Sequence, residues 1–215
     1  MGKQKQKNKQ RFERGKRNLR ARKRRILICV EGENTESQYF ELLQQHLKKK
    51  ELTSAITIKV VKPKGTDPAS ILRGCRDYAE KEEQDGKGYD ECFCVVDVDA
   101  HATLNQALRD AQSRSISMVV TNLKFELWLL WHVGDKPGGY AHNQQLDALV
   151  KKLSKSGETP FLEGNNYKNL HRNFPVENYT QAIEIARQKD PKMAFNRKGQ
   201  NPSSAMPLLI EKLMK

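Results

Sequence analysis

The sequence lacks a long apolar run, and no stretch approaches the ~20 apolar residues that a helix needs to cross a bilayer. Its amino terminus is polar and basic and contains no apolar segment typical of a signal peptide. We therefore expect a cytoplasmic protein without a membrane partner. With 215 residues, 37% of them apolar, the chain is long enough to bury the core of one domain, or of one domain with an appendage.

Cysteine is scarce, and its positions do not form a metal-binding pattern. Cys92 and Cys94 are one residue closer together than the usual zinc spacing, and no second pair accompanies them. Cys29, Cys92 and Cys94 lie in predicted strands, so we interpret the thiols as buried side chains. The five histidines show no metal-ligand pattern either.

Acidic residues are almost absent from the amino-terminal segment. The first 25 residues contain thirteen Lys or Arg and only one acid, whereas the remainder has 26 basic and 25 acidic residues. Such a segment cannot bury enough apolar surface to fold, and basic arms commonly bind phosphate backbones. We predict a disordered arm over residues 1–24 that contacts nucleic acid, including Arg22, Lys23 and Arg24. The alternative is a solubility tail or the remnant of a tag.

The middle of the chain alternates short apolar runs with helical patterns in the order β-α-β-α-β-α-β-α. The runs are "RRILICV", "AITIKVVK", "ECFCVV" and "ISMVV". This order predicts a mostly parallel α/β sheet with helices on both faces, a Rossmann-like core over residues 25–139. We expect Thr35 and Gln38 to form a capping box for the first helix, and Asp67 to cap the second before Pro68. Residues 140–215 predict a helical portion, without strands, packed on this core.

Carboxylates follow two of the predicted strands directly. Glu31 comes after the first strand, and Asp97 and Asp99 come after the third. Ligands of open parallel sheets bind at the carboxyl ends of the strands, where these side chains converge. Clustered carboxylates repel one another unless a cation is present, and oxygen ligands alone favour Mg²⁺ or Mn²⁺. Glu36 is either another ligand or a complement to its helix dipole.

Two further residues are candidates for the same site. Glu126 lies near the first turn of an apolar helix that Asn122 is expected to cap, and a carboxylate in that setting is costly unless it has a function. The alternative for Glu126 is dipole complementarity. His101 is a candidate proton donor or phosphate contact, although it also fits an ordinary solvated loop.

Basic residues near the predicted site are candidates for binding nucleic acid. Lys62 and Lys64 follow the second strand on the same rim, with Gly32 leaving room for a phosphate beside the first. A later stretch, "NNYKNLHRNF", mixes aromatic and basic side chains that suit stacking and phosphate contact, namely Tyr167, Lys168 and Arg172. Ordinary loop residues and core packing are the alternatives.

The combination "VEG" and, about 65 residues later, "VVDVD" resembles the Toprim domain of topoisomerases, primases and OLD-type nucleases. That resemblance implies that Glu31 is a general acid or base and that Asp97 and Asp99 bind Mg²⁺. From about residue 22 onward the sequence also resembles the RloB family, in "RILICVEGENTESQYFELL", "YDECFCVVDVDAH", "NLKFELWLLWHV" and "NPSSAMPLLIEKL". This resemblance implies a phage-defence or abortive-infection protein, often encoded beside an AAA/ABC-type ATPase.

We therefore expect a Mg²⁺-dependent nuclease that cleaves RNA or DNA. The alternative is a nucleic-acid-binding adaptor or regulatory subunit of a defence complex, with a degenerate Toprim fold. A small-molecule phosphatase ranks below both, because His101 stands where the phosphatase motif has Thr. The sequence leaves open whether the protein forms a homo-oligomer.

Overall fold

The computed structural model of the chain describes residues 23–53, 56–98, 103–134 and 142–214. Its strands are β1 (Arg24–Val30), β2 (Ile56–Val61), β3 (Glu91–Asp97), β4 (Ile116–Asn122), β5 (Leu162–Glu163), β6 (Asn169–Leu170) and β7 (Ser203–Ser204). Its α-helices are α1 (Thr35–Lys49), α2 (Pro68–Gln84), α3 (Leu104–Ser113), α4 (Phe125–His132), α5 (Asn143–Ser156), α6 (Tyr179–Lys189) and α7 (Met206–Leu213).

A central sheet has the strand order β2-β1-β3-β4-β7. The first four strands are parallel, and β7 pairs antiparallel with β4. The mixed α/β fold with a mostly parallel sheet flanked by helices is therefore confirmed, as is the alternating order of its first eight elements. No helix in the described ranges is both long enough and apolar enough to span a membrane.

Strand β1 is buried on both faces, which explains why its sequence is apolar without alternation. Ile26 and Ile28 face a cluster that contains residues of α1, α4, α5, α6 and α7. Leu27 and Cys29 face a second, smaller cluster built with α2 and α3. The sheet therefore separates two helical layers, and α1 begins just beyond the carboxyl-terminal end of β1.

Cysteines occur in the smaller cluster as free thiols, in agreement with their interpretation as buried side chains. Cys29, Cys75 and Cys94 are buried and Cys92 is half-buried. Contact with Cys75 and burial together raise the pKa values of the Cys92 and Cys94 thiols. These thiols are therefore poor nucleophiles at neutral pH.

The prediction of no strand after residue 140 is wrong. Ser203 and Ser204 form β7 at the edge of the sheet, and β5 and β6 form a small antiparallel hairpin. The Thr121 and Ser204 hydroxyls lie 2.9 Å apart, so each buried hydroxyl has a partner. Two-residue strands are too short to show a periodic pattern, which is why the sequence did not indicate them.

The predicted capping box of α1 is also wrong. The Thr35 hydroxyl donates to the Lys168 carbonyl at 2.9 Å, and the Gln38 side-chain oxygen accepts from the Leu170 amide at 2.7 Å. Both side chains therefore hold the β5-β6 hairpin against α1 instead of capping the helix. The predicted cap of α2 is confirmed, since the Asp67 carboxylate accepts from two amides of the first turn at 3.1 and 3.2 Å.

Helix α4 lies in the larger core. Trp128 and Trp131 are fully buried, as predicted for core residues. His132, equally buried, is 3.0 Å from the Trp128 carbonyl through Nδ1 and 3.3 Å from the Tyr39 hydroxyl through Nε2. The Tyr39 contact joins α4 to α1, the two helices whose first turns reach the edge of the sheet.

Candidate functional site

Two of the predicted acidic residues meet where β1 and β3 end. These strands are parallel neighbours, with Val30 opposite Val95, so the residues that follow leave the sheet side by side. The Asp97 amide donates to Glu31 Oε2 at 3.5 Å, a long hydrogen bond. The structure therefore brings together residues that are 66 positions apart in the sequence.

Glu36, in the first turn of α1, faces the same place. Its side chain is buried, and its Oε1 accepts a hydrogen bond from the Gly32 amide at 3.2 Å. A Cβ atom added at Gly32 would lie 1.7 Å from Glu36 Oε2. The space that sequence reasoning assigned to a phosphate therefore holds the Glu36 carboxylate, and that expectation is wrong.

Glu126 is the fourth acid, and α4 brings it to the group. The helix begins at Phe125, and the Phe125 amide donates to the Asp97 carboxylate. Asn122 does not cap α4, contrary to expectation, because its Nδ2 donates to the Gly199 carbonyl at 2.9 Å. The strand end and the helix start are thus linked by the backbone, which sets Glu126 beside Asp97.

These four carboxyls act on one another electrostatically. Burial, reinforced by the charges of Glu126 and Glu31, raises the pKa of Glu36 to about 7. Burial, reinforced by Glu36, Glu126 and Glu31, also raises the pKa of Asp97 well above its usual range. A shared low-dielectric pocket of like charges is a high-energy arrangement unless a cation or protons neutralise it. We refer to Glu31, Glu36, Asp97 and Glu126 as the carboxylate group.

The chemistry of the carboxylate group fits a hard divalent cation. All its donors are oxygens, the ligands of Mg²⁺ and Mn²⁺, and no Cys or His belongs to it. Within the described part of the chain, however, no three His, Cys, Asp or Glu side chains already stand in an arrangement that would hold an ion. The predicted ligand Asp99 and the predicted proton donor His101 lie outside the described residues.

The basic residues predicted on the rim lie where the sequence places them. Lys62 and Lys64 directly follow β2, the neighbour of β1, and both are exposed. The Lys62 ammonium lies 3.4 Å from the carboxylate of Glu33, which is two residues after Glu31 in the sequence. The rim therefore carries positive charge close to the carboxylate group, and the binding role of these lysines stays a prediction.

The later basic residues are spread over the β5-β6 hairpin and the loop behind it. Lys168 is exposed, and its carbonyl bonds Thr35 next to Glu36, so the hairpin borders the carboxylate group. Tyr167 packs partly against the larger core, as its alternative interpretation expected, and Arg172 is exposed. Their roles in binding nucleic acid stay predictions.

Two residues of the predicted basic arm lie within the described ranges. Arg22 lies outside them, and Lys23 is exposed. Arg24 is the first residue of β1, where it pairs with Glu91 at 3.5 Å and donates to the Lys212 carbonyl. The structure therefore places Arg24 in the sheet, one residue before the predicted boundary between arm and core.

Backbone amides help to hold the carboxylate group. The amides of Gly32 and Phe125 donate to carboxylates of the group, and so does that of Glu36. The start of the helix after Thr35 suggested from the sequence that amides point toward the site. Sequence reasoning missed the roles of the Gly32 and Phe125 amides.

Fold and site together define a mixed α/β protein with an acidic site at the carboxyl-terminal edge of its sheet. The chain belongs to the RloB-like protein family, which it matches over residues 26–213. The resemblance seen in the sequence is thereby confirmed over most of the chain.

Other comparisons add little. No curated protein matches the chain. A Mycobacterium smegmatis protein in complex with β-D-fucofuranose is similar at 10% identity and a TM-score of 0.31, over 78% of this chain and 52% of that one. A periplasmic solute-binding protein of an Actinobacillus succinogenes ABC transporter, with bound D-allose, is similar at 13% identity and a TM-score of 0.30, over 77% and 63%. Likenesses this weak say nothing about the fold or ligand of this chain.

Proposed function

We propose that this RloB-like protein has a Toprim-like core and is a divalent-metal-dependent nuclease that cleaves phosphodiester bonds in RNA or DNA. The observation that supports the proposal is the carboxylate group, in which Glu31 and Asp97 meet Glu36 and Glu126. Four acids in one partly buried place repel one another and lose hydration, so they need either bound protons or a cation to neutralise them.

The residues of the carboxylate group divide into two roles in this proposal. Asp97 and Glu36, whose charged forms are disfavoured by burial and by the neighbouring acids, would hold Mg²⁺ or Mn²⁺, together with Asp99 as the Toprim resemblance implies. A bound divalent cation supplies Lewis acidity toward a phosphodiester and lowers the pKa of water. Glu31, half-buried at the end of β1, would transfer the proton. Glu126 would either orient the other metal ligands or be a metal ligand itself.

Cleavage assays on single- and double-stranded RNA and DNA test this proposal, with EDTA, Mg²⁺ or Mn²⁺ added. We expect Asp97→Asn and Glu31→Gln to lower the cleavage rate by roughly a hundredfold or more, the scale expected when one acid–base or metal-binding group is removed. Glu41→Gln, an exposed acid on α1, is the matched control and should cleave like the wild type. Wild-type protein that cuts none of the four substrates in either metal, alone or with a co-encoded ATPase, would refute the nuclease.

An adaptor function is the second candidate, because the described residues contain no ready-made set of three metal ligands. An adaptor would bind nucleic acid without cutting it, and the acids would only repel phosphate. Asp97→Asn would then bind an oligonucleotide as tightly as the wild type or more tightly, with and without Mg²⁺. For the nuclease, Mg²⁺ should tighten substrate binding by the wild type but not by Asp97→Asn.

The biological role that we propose is phage defence, by an effector that acts with an AAA/ABC-type ATPase. This rests on the resemblance set out above. Plating of phage on cells that carry the wild-type gene pair, or the pair with Asp97→Ala, measures protection directly. Sequencing cellular RNA and DNA after induction would identify the substrate, and equal protection by both versions would remove the acidic site from the defence function.

A further inference from the structure

Helix α2 is flanked by two concave surfaces that share one side chain. The larger, of about 450 Å³, lies between α2 and the segment after β2. The smaller, of about 120 Å³, lies between α2 and α3. Arg73 lines both, and we name the two surfaces together the α2 groove.

The α2 groove is strongly basic. Its larger part is lined by four cations and one acid, and that acid, Asp77, already pairs with Arg76 at 2.7 Å. The acid in its smaller part, Asp110, accepts a hydrogen bond from Gln106 at 2.7 Å. Ion pairs among the described residues leave four of the lining cations unpaired, namely Lys64, Arg73, Lys81 and Arg114.

An aromatic ring accompanies these cations. Tyr78 lines the larger part of the groove, half-buried, with its ring centroid 6.3 Å from that of Tyr89. The Arg25 guanidinium lies over the Tyr89 ring at 4.8 Å. This contact helps to hold Tyr89, against which the Tyr78 ring packs. A basic groove that carries an aromatic platform is the pattern by which proteins bind single-stranded nucleic acid.

The groove reaches the segment that follows β1. Lys62, one of its lining residues, pairs with Glu33, two residues after Glu31. The Thr103 hydroxyl also donates to Asp67 at 3.2 Å, which ties the start of α3 to the start of α2 at the same edge of the sheet. A strand that lies along α2 would therefore reach the edge where the four acids meet.

We propose that the α2 groove binds the backbone of a single-stranded segment of nucleic acid and leads it to the carboxylate group. Lys64, Arg73, Lys81 and Arg114 contact phosphates, and Tyr78 stacks on a base. The proposal rests on the proposed function for the identity of the ligand, and it adds a surface on which the substrate lies.

Binding of fluorescein-labelled single-stranded 20-mers to the full chain in EDTA tests the groove without cleavage. The variant carries Arg73→Glu, Lys81→Glu and Arg114→Glu, and the control carries Lys151→Glu, Lys152→Glu and Lys155→Glu on α5, which changes the net charge equally. We expect the affinity of the groove variant to fall at least tenfold and its salt slope to fall by about 2, since each phosphate that is no longer neutralised accounts for roughly 0.7. The amino-terminal arm is identical in both, so its contribution cancels.

The affinity of the control for the single strand should stay within threefold of that of the wild type. Equal losses of affinity in the control and in the groove variant would overturn the proposal. Tyr78→Leu should weaken binding of the single strand at least fivefold and leave a duplex of the same length unaffected. Unchanged affinity of the groove variant for the single strand would also overturn the proposal. If that variant then bound vesicles of anionic lipid less tightly than the wild type, the groove would bind a membrane surface instead. Because cleavage plays no part in EDTA, a wild type without nuclease activity leaves this result interpretable.

Discussion

Acidification should destabilise the fold through one histidine. His132 has no exposed surface and is held between the Trp128 carbonyl and the Tyr39 hydroxyl. With Nδ1 donating to the carbonyl and Nε2 accepting from the hydroxyl, both bonds are satisfied by the neutral ring. Protonation would place an uncompensated charge among the aromatic rings of Tyr39, Trp128 and Phe174.

The magnitude follows from the two pKa values. Burial lowers the pKa of His132 from 6.5 to about 4 in the folded protein. Between these values the unfolded chain binds a proton that the folded chain refuses, so stability is fully present above pH 6.5 and falls as the pH is lowered. The loss is about 2 kcal/mol at about pH 5 and reaches about 3 kcal/mol at about pH 4, where the folded protein also begins to bind the proton.

Urea unfolding followed by tryptophan fluorescence at pH 7.5, 6.5, 5.5 and 5 measures this loss. His132→Gln, whose amide can make the same two bonds, should be less stable at pH 7.5 but lack the histidine's share of the pH dependence. Carboxyl groups that titrate in the same range contribute equally to both proteins, so they cancel when the two free energies of unfolding are subtracted. His142 is exposed, and His142→Gln should show the pH dependence of the wild type. Parallel pH curves for the wild type and His132→Gln would refute the reasoning.

Three further predictions concern the site and its supports. Gly32→Ala should displace the Glu36 carboxylate and lower cleavage by roughly tenfold or more, with little change in Tm and no further effect in a Glu36→Gln background. Mg²⁺ at a hundredfold excess over its Kd should raise the free energy of unfolding by about 2.7 kcal/mol in the wild type, and not in Asp97→Asn. Asp67→Ala should cost about 1 kcal/mol in urea unfolding because the cap of α2 is removed, whereas Asp67→Ser should retain most of the stability.

The sheet and part of the site could be predicted from the sequence because both depend on local order. An apolar run followed by an acid shows where a buried strand ends, and parallel strands end at one edge. Glu31 and Asp97 were therefore predictable as neighbours from the order of the residues alone. The confirmed cap of α2 is equally local, since Asp67 bonds amides two and three residues away.

The features that the sequence did not reveal depend on partners far along the chain. Thr35 and Gln38 fit a capping box, but their side chains bond to residues more than 130 positions away, which no local pattern can indicate. Ser203 and Ser204 form a strand only because β4 offers them an open edge. The α2 groove likewise combines residues from the segment after β2, from α2 and from the end of α3.

Acids in the first turn of a helix always have two interpretations, and Glu36 shows that both can hold at once. A carboxylate that only complements the dipole would face the amides of its own helix and solvent. Glu36 does bond nearby amides, yet it is buried and close enough to Glu31 and Glu126 for their charges to raise its pKa. In that position the favourable dipole energy offsets part of the repulsion between the acids. The helix starts of α1 and α4 thus help to hold a charge cluster that the strand ends alone could not.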